Sequence, residues 1–277
     1  MIKKEIRMNL REIKHRIKVL WILTSRYFKN TSLRTVSHSY EEYDSFWDDF
    51  WKKKEYFKTH YPFIKNEKLI IPQISPLEFK KEVIIKIISK KIKELDIKSV
   101  LEIGSGAGLN LLFLAPLFPD VKFFGIEPTE SGVRVSTDFI KNPPKEFGSD
   151  LVEKSIDNIY IYKGSILNKD DLKELKNQSF DLIFTSAVLE QLNNFLDQAF
   201  ENIFQFNSKY YLFYEEWLEA NSKISCYKTL VESDYFRVST SYLNKFPIDI
   251  LQFEIPIIQP SWLSYGVVFG KKMFKYK

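Results

Sequence analysis

The stretch SVLEIGSGAGLNLLFL, residues 99–114, constrains the fold of this chain more than any other feature. Three glycines, Gly104, Gly106 and Gly108, follow a short apolar run and precede an apolar run of helical character. Glycines at such a point can take backbone angles closed to other residues and let a ligand approach the main chain. The free N–H groups of the following helix favour the negative part of a ligand. The stretch therefore predicts a strand, a nucleotide-binding turn and a helix.

From residue 98 onward, β-rich runs alternate with helical runs. Continuous apolar strands separated by helices indicate a parallel sheet covered on both faces. The last two runs, PIDILQFEIPII and SYGVVFGKK, have no evident helix between them and predict an antiparallel pair. We expect an α/β, Rossmann-like, doubly wound, mostly parallel seven-stranded sheet with an antiparallel last strand. The predicted strands before that pair are 99–103, 121–126, 158–163, 180–185 and 210–215, and the predicted helices are 108–117, 130–141, 170–176 and 193–204.

The N-terminal part of the chain carries its excess of positive charge. The first 40 residues hold ten lysines and arginines against two glutamates, whereas the rest holds 31 basic and 34 acidic side chains. Leu10, Ile13, Ile17 and Leu20 recur at helical spacing, which predicts a basic amphipathic helix over residues 8–28. Two interpretations stay open, namely packing on the protein or on a second subunit, and peripheral attachment to an anionic membrane surface.

The sequence divides into two predicted regions. Residues 1–76 form an N-terminal helical extension with an aromatic cover segment at 39–63, and residues 77–277 form the α/β domain. A helix is predicted from Leu77, where LEFKKEVIIKIISKKIKEL has apolar residues at helical spacing. The apolar run VLWIL, residues 19–23, is too short to span a bilayer. Cys226 is the only cysteine and no cysteine/histidine cluster suggests a metal site, so we expect a reducing, cytoplasmic location.

Two acidic residues narrow the type of ligand. Glu102 lies two residues before the first glycine, where its carboxylate can accept hydrogen bonds from an ammonium group. Glu127 ends the second predicted strand, where a carboxylate can bind two ribose hydroxyls. The dinucleotide fingerprint requires a glycine where this chain has Leu109. The spacing therefore disfavours an NAD-dependent enzyme.

At this point the residues carry a family resemblance. VLEIGSGAG, the acid in GIEP, the glycine in YKGSIL and the run FDLIFTSAVLEQL, in this order, resemble the motifs of class I S-adenosylmethionine-dependent methyltransferases. A narrower similarity, through GLNLLFLAPLFPD, GSILN and YYLFYEEW, is to small-molecule methylases found with surface-sugar biosynthesis. The resemblance implies S-adenosylmethionine as cofactor and a small-molecule acceptor, with O-methylation of a sugar or surface-glycan precursor as the expected reaction.

The resemblance also implies a role for each matching residue. Glu102, the glycine turn with Ser105, and Asn110 would hold the methionine part of the cofactor, while Glu127 would bind the ribose. The adenosine pocket would be shaped by Pro128 and Thr129. Ser165 and Ile166 fall where many members have an acid that contacts adenine, so Ser165 departs from the pattern. The implied cofactor-binding residues are thus Glu102, Gly104, Ser105, Gly106, Gly108, Asn110, Glu127, Pro128, Ser165, Ile166, Thr185 and Ser186, the last two beside the reacting methyl group.

The residues leave open which group accepts a proton from the acceptor. Every histidine precedes the glycine turn, and among them His60 in the cover segment is a candidate base. Glu190 and Glu215 are the other candidates, at the sheet edge where such folds bind substrates. Neighbouring residues on a strand face opposite sides, so Glu215 and Glu216 are expected to point apart. Capping a helix is the alternative role for Glu190.

Two other functions stay open from the sequence. The basic N-terminus is compatible with an RNA methyltransferase, although the acidic balance of the remaining chain makes nucleic acid an unfavoured partner. A non-catalytic scaffold with the cofactor fold is also compatible, because the α/β domain contains no histidine.

Overall fold

The structure is a computed structural model, which describes residues 62–66, 68–70, 74–147, 157–221, 226, 230, 235 and 237–273. The predicted basic helix at residues 8–28, most of the aromatic cover segment and His60 lie outside these described residues. Within them, no helix has the length and apolar character needed to cross a membrane.

A capped helical segment leads into the sheet. Helix α1 (Pro76–Lys80) continues through a π-helical turn (Lys81–Ile85) into helix α2 (Lys86–Glu94). Ser75 and Glu78 form a capping box, in which each side chain accepts a hydrogen bond from the other residue's backbone N–H. The predicted helix from Leu77 is therefore confirmed, with Pro76 in its first turn.

The main sheet has seven strands in the order β5-β4-β3-β6-β7-β10-β8. Strands β3 to β7 are parallel to one another, and β10 is antiparallel to both of its neighbours. The predicted Rossmann-like sheet with an antiparallel last strand is confirmed. Its strands are β3 (Ser99–Ile103), β4 (Lys122–Glu127), β5 (Ile159–Lys163), β6 (Ser179–Ser186), β7 (Asn207–Glu215), β8 (Ile248–Glu254) and β10 (Gly266–Lys272).

Among the described residues, four further α-helices follow the glycine turn, namely α3 (Leu109–Leu114), α4 (Glu130–Lys141), α5 (Lys173–Lys176) and α6 (Leu196–Gln205). Three of them differ from the predicted bounds. The ends of the predicted helix 108–117 are the turn at Gly108 and a 3₁₀ segment, Ala115–Leu117. Helix α5 is shorter than predicted. Helix α6 begins after a 3₁₀ segment, Leu189–Phe195, whose backbone leaves helical angles at Leu192.

A small second sheet was not predicted from the sequence. It consists of β1 (Phe63–Lys65), β2 (Lys68–Leu69) and β9 (Ile258–Pro260), all antiparallel. Strands of two or three residues are too short to show the alternation by which strands are recognised. Strand β1 pairs with β9 across the predicted division at residue 76.

Apolar side chains cover both faces of the main sheet. Val100 belongs to one buried cluster with the helical segment α1–α2, whereas Leu101 and Ile103 belong to the other, with helix α6. Both faces of one strand are therefore buried, as the continuous apolar runs predicted.

Asp181, at the start of β6, holds the beginning of β3. Its Oδ2 accepts hydrogen bonds from the backbone N–H groups of Lys98 and Ser99, at 2.9 and 3.1 Å, and its Oδ1 accepts one from Lys209 Nζ. Partial burial acts to raise the pKa of Asp181, but these hydrogen bonds outweigh it and lower the pKa.

We expect Asp181→Ala to lower the free energy of unfolding at pH 7 by about 1–2 kcal/mol, because backbone donors lose a charged acceptor that is partly exposed to solvent. A carboxylate with a lowered folded pKa stabilises the fold above its unfolded pKa, so the difference should shrink as pH falls below about 4. Urea unfolding at several pH values measures this difference.

Asp170→Ala, which breaks an exposed ion pair with Lys173, is the control and should lower the free energy of unfolding by less than about 0.5 kcal/mol. A pH-independent difference would contradict the assignment.

Candidate functional site

The glycine turn joins β3 to α3 at the carboxyl edge of the parallel strands. Gly104 and Gly106 have φ angles of 69° and 53°, in the left-handed region that favours glycine. The N–H groups of Gly104 and Ser105 both donate to the carbonyl of Ile126 on β4. A Cβ at Gly104 would lie 2.5 Å from a methyl carbon of Val188, whereas one at Gly106 would meet nothing within 4 Å. Gly106 therefore faces open space into which a ligand can fit.

Glu127 connects this turn to the next one. Its Oε2 accepts a hydrogen bond from the Gly106 N–H at 2.8 Å, and its Oε1 accepts from the backbone N–H and hydroxyl of Thr129. The Thr129 hydroxyl in turn caps helix α4 by accepting from the Gly132 N–H. The predicted ribose-binding acid thus lies beside the open side of the turn, with Pro128 between it and the cap.

Glu102 lies at the end of β3 and is almost fully buried. Its Oε1 accepts a 2.6 Å hydrogen bond from Asn110 Nδ2, while its Oε2 has no hydrogen-bond partner. Asn110 Oδ1 accepts from Lys80 Nζ at 3.1 Å. Burial raises the pKa of Glu102 to about 8, opposed by Lys80 and Asn110. Burial disfavours the charged form of Lys80 as well and therefore lowers its pKa, while the charge of Glu102 opposes this shift.

Lys80 was not predicted as a site residue, although the sequence contained a signal for it. It follows Leu77 by three residues and precedes Ile84 by four, so it lies on the apolar face of its helix, between two buried side chains. A lysine on such a face needs a polar partner. The sequence alone did not show that Glu102 and Asn110 supply it.

The segment after β5 carries the predicted adenine contacts. The hydroxyl of Ser165 accepts from the Leu167 N–H, and the carbonyl of Ile166 accepts from Asn202 Nδ2 at 2.7 Å. The Ser165 N–H donates to Asp171 Oδ2 at 2.9 Å. Asp171, which the sequence analysis did not single out, therefore brings a carboxylate next to the position where Ser165 lacks one.

The turn after β6 lies beside the glycine turn, since Val188 lies against Gly104. Thr185 and Ser186 end this strand with buried hydroxyl groups, of which that of Ser186 has no hydrogen-bond partner and that of Thr185 lies close to the Glu215 carboxylate. Ala187 takes a φ of 57°, which is rare for a residue with a Cβ and costs about 1 kcal/mol or more. Its N–H donates to the carbonyl of Tyr214 on β7, which holds the turn in place. Strained backbone of this kind concentrates at functional sites.

Glu215, at the end of β7, holds the start of the next segment. Its carboxylate accepts hydrogen bonds from the backbone N–H groups of Val188, Leu189 and Glu190, at 3.1 to 3.4 Å for Oε2. Burial and the charge of Glu190 raise the pKa of Glu215 to about 8, while Thr185 and these N–H groups oppose the rise. These contacts give Glu215 a positioning role, and its direct catalytic role stays a prediction.

Glu190 and Glu216 are buried next to Glu215. Glu190 Oε2 and both oxygens of Glu216 have no hydrogen-bond partner. Burial raises the pKa of Glu190 to about 7, and burial with the charge of Glu190 raises the pKa of Glu216 well above its ordinary value. Glu215 ends β7 and Glu216 follows it, and both are fully buried. That they point apart stays a prediction.

The sequence predicted no metal ligands for this site. Among the described residues, no group of three histidine, cysteine, aspartate or glutamate side chains could hold a metal ion. The structure brings the predicted cofactor residues to one edge of the sheet, because β3, β4 and β6 are parallel and end together. The role of His60 stays a prediction.

Solved structures similar to this chain are described as methyltransferases. A putative sarcosine dimethylglycine methyltransferase from Galdieria sulphuraria has a TM-score of 0.56 at 12% identity, over 82% of this chain and 98% of that chain. Magnesium protoporphyrin IX methyltransferase from Synechocystis PCC 6803, with bound SAH, also has a TM-score of 0.56, at 8% identity, over 84% and 97%. No family model and no curated protein matches the sequence. At these identities the similarity establishes the fold.

The glycine turn gives a paired test of stability. We expect Gly104→Ala to lower the free energy of unfolding by about 2 kcal/mol or more, since it adds a collision with Val188 to the cost of a positive φ. Gly106→Ala should cost only about 1 kcal/mol, the cost of the positive φ. Urea unfolding of both variants measures the difference, and equal losses would contradict the geometry.

The buried glutamates give a pH dependence. A carboxyl group with a raised folded pKa binds its proton more tightly in the fold, so its contribution falls as pH rises from the unfolded pKa, about 4.3, through the folded one. Glu190→Gln should match the wild type at pH 4.5 and exceed it at pH 8 by about 1–3 kcal/mol. Urea unfolding across this range tests it, with the exposed Glu201→Gln as control. A Gln variant that is less stable at pH 8 would refute the assignment.

Proposed function

We propose that this chain, which has the fold of the class I S-adenosylmethionine-dependent methyltransferases, transfers a methyl group from S-adenosylmethionine to a small-molecule acceptor. The observation that carries the proposal is the pair of buried carboxylates, Glu102 and Glu127, at the ends of adjacent strands beside a glycine turn open to a ligand. A dinucleotide turn is disfavoured by the glycine spacing.

The residues at the end of β3 suit the methionine part of the cofactor. An amino acid carries an ammonium group and a carboxylate. The partnerless Oε2 of Glu102 can accept a hydrogen bond from the ammonium group. Lys80, held near Glu102 by Asn110, can pair with the carboxylate. The opposite charges needed for a zwitterion are therefore present on two neighbouring elements.

Glu127 and the loop after β5 suit the adenosine part. Gly106 and Thr129 hold the Glu127 carboxylate beside the open side of the glycine turn, at the end of β4, where an acid suits the hydroxyls of a ribose. Asp171, bonded to the Ser165 N–H, is positioned to accept a hydrogen bond from an exocyclic amino group. This arrangement offers a substitute for the acid that is absent at Ser165.

The residues that would contact the methyl acceptor lie at the ends of β6 and β7. S-adenosylmethionine, when bound, supplies a methyl group on a positively charged sulfur, which is a good leaving group. The protein then has to orient the acceptor, exclude water and receive a proton. Glu190 is buried, and its pKa of about 7 suits a proton acceptor near neutral pH. The prediction of O-methylation of a sugar or surface-glycan precursor stays a prediction, as does a membrane or subunit contact through residues 8–28.

Isothermal titration with S-adenosylmethionine tests the proposal. The wild type should bind, and Gly106→Ala should bind about tenfold more weakly or worse, because its Cβ enters the space beside the turn. Glu127→Gln should lose about tenfold or more by removing the charged acceptor. Asp170→Ala is the control, and melting temperatures establish that each variant is folded. Absence of wild-type binding would refute the proposal.

A further inference from the structure

The cluster formed by Glu190, Glu215 and Glu216 is not used by cofactor binding. All three are buried, with Glu190 4% exposed and the other two fully buried. None of the ion pairs between described residues involves them. Glu102, by contrast, has Lys80 as a cationic neighbour. Carboxylates buried without a cation are costly, so the cluster calls for an explanation beyond stability.

The unpartnered atoms of the cluster define what it can bind. Three carboxylate oxygens make no hydrogen bond in the structure, namely Glu190 Oε2 and both oxygens of Glu216, although Glu190 and Tyr265 lie close enough to Glu216 to shift its pKa. The hydroxyl of Tyr214 is also buried without a partner. An ammonium group has three N–H donors and no acceptor. Its donors therefore match these oxygens in number, and its charge favours the ionised form of carboxyl groups whose pKa values burial raises.

The cluster lies next to the cofactor-binding turn. Glu215 accepts from the N–H of Val188, and the side chain of Val188 lies against Gly104. Tyr214 and Tyr265 stack with their ring centroids 4.7 Å apart. Burial and the charges of Glu216 and Glu190 raise the pKa of both tyrosine hydroxyl groups. Thr185 reaches Glu215 from β6. Apart from the carboxyl groups, the described side chains that face the cluster thus carry hydroxyl groups and no positive charge.

We propose that this cluster receives the amino group of the methyl acceptor, so that the acceptor is a primary amine and the reaction an N-methylation. The inference rests on the proposed function and specifies its acceptor. A hydroxyl acceptor requires one base, which leaves either Glu190 or Glu216 without a role, since Glu215 already holds the backbone after β6. The described carboxylates also lack the arrangement of a metal site.

The chemistry of the transfer suits such a cluster. The bound ammonium group first gives a proton to the ionised Glu190 carboxylate. The lone pair of the resulting neutral amine attacks the methyl carbon, an N–C bond forms, and the S–C bond breaks with its electron pair left on sulfur. Positive charge therefore moves from sulfur to nitrogen, and a carboxylate beside the nitrogen stabilises it as it develops. The products are a secondary ammonium ion and S-adenosylhomocysteine, and Glu190 then returns its proton to solvent.

Matched amines and alcohols test the acceptor. The full chain with saturating S-adenosylmethionine is assayed for S-adenosylhomocysteine with three pairs of probes: D-glucosamine and D-glucose, ethanolamine and ethylene glycol, and benzylamine and benzyl alcohol. We expect turnover with at least one amine and none with its alcohol. Glu216→Gln should raise the KM for that amine about tenfold or more, since an amide cannot ionise beside the bound ammonium group.

Control measurements separate this inference from the proposed function. S-adenosylmethionine affinity, measured by titration, should stay the same in Glu216→Gln, and Glu190→Gln serves as the second variant if the first does not fold. Tyr211→Phe, which removes another buried unpartnered hydroxyl on β7, should leave the KM unchanged. Turnover of an alcohol in place of its amine, no turnover with any amine despite cofactor binding, or an unchanged KM in both Gln variants overturns the amine assignment alone. Absence of cofactor binding overturns the proposed function.

Discussion

The carboxylate of Glu127 is the contact on which the cofactor side of this site depends. It accepts the N–H of Gly106 from the turn after β3 and the N–H and hydroxyl of Thr129 from the turn after β4. One acid therefore fixes two loops that come from different strands. Its burial is offset by these donors and by the N-terminal end of the twelve-residue helix α4, whose dipole favours a negative charge. The side chain that can recognise a ribose is thus also the one that shapes the turn beside it.

The elements of the fold that depend on local sequence patterns could be predicted from the sequence. The runs that became β3 to β7 are continuous and apolar because helices cover both faces of the sheet, and this pattern is legible in a sequence. The small sheet of β1, β2 and β9 depends instead on pairing between Phe63–Lys65 and Ile258–Pro260, nearly 200 residues apart. Such short strands have no period of their own. The start of α6 was predicted too early because the residues before it, including Leu192, form a kinked 3₁₀ segment of similar apolar spacing.

Some residues of the candidate site could likewise be predicted from local sequence, whereas others could not. Glu102 and Glu127 were recognisable because each lies near the carboxyl end of a strand, at a short distance before or after the glycine motif in the sequence or on the next strand, and the structure places both at the carboxyl edge of the sheet. Lys80 and Asp171 were missed because their relevance arises from contacts with Asn110 and Ser165, which the chain brings together only when folded. The burial of Glu216 was not predicted, because alternation assigns the direction of a side chain and not its exposure where both faces of a sheet are covered.

Glu102 and the pair Glu190 and Glu216 differ in how their negative charge is compensated. The turn after β6 lies between them. Glu102 has a lysine and an amide beside it, so the protein itself supplies much of the compensation. Glu190 and Glu216 have backbone and tyrosines around them but no described cation, so their compensation has to come from protons or from a ligand. Ala187 and Val188 lie between these parts: Ala187 is strained, and Val188 contacts Gly104 while its N–H binds Glu215. Because that turn is held from both sides, a group bound at the glutamates is positioned relative to the glycine turn by the backbone itself. The same two contacts hold Ala187 in its strained conformation, since relaxing it would move Val188 away from both Gly104 and the Glu215 carboxylate.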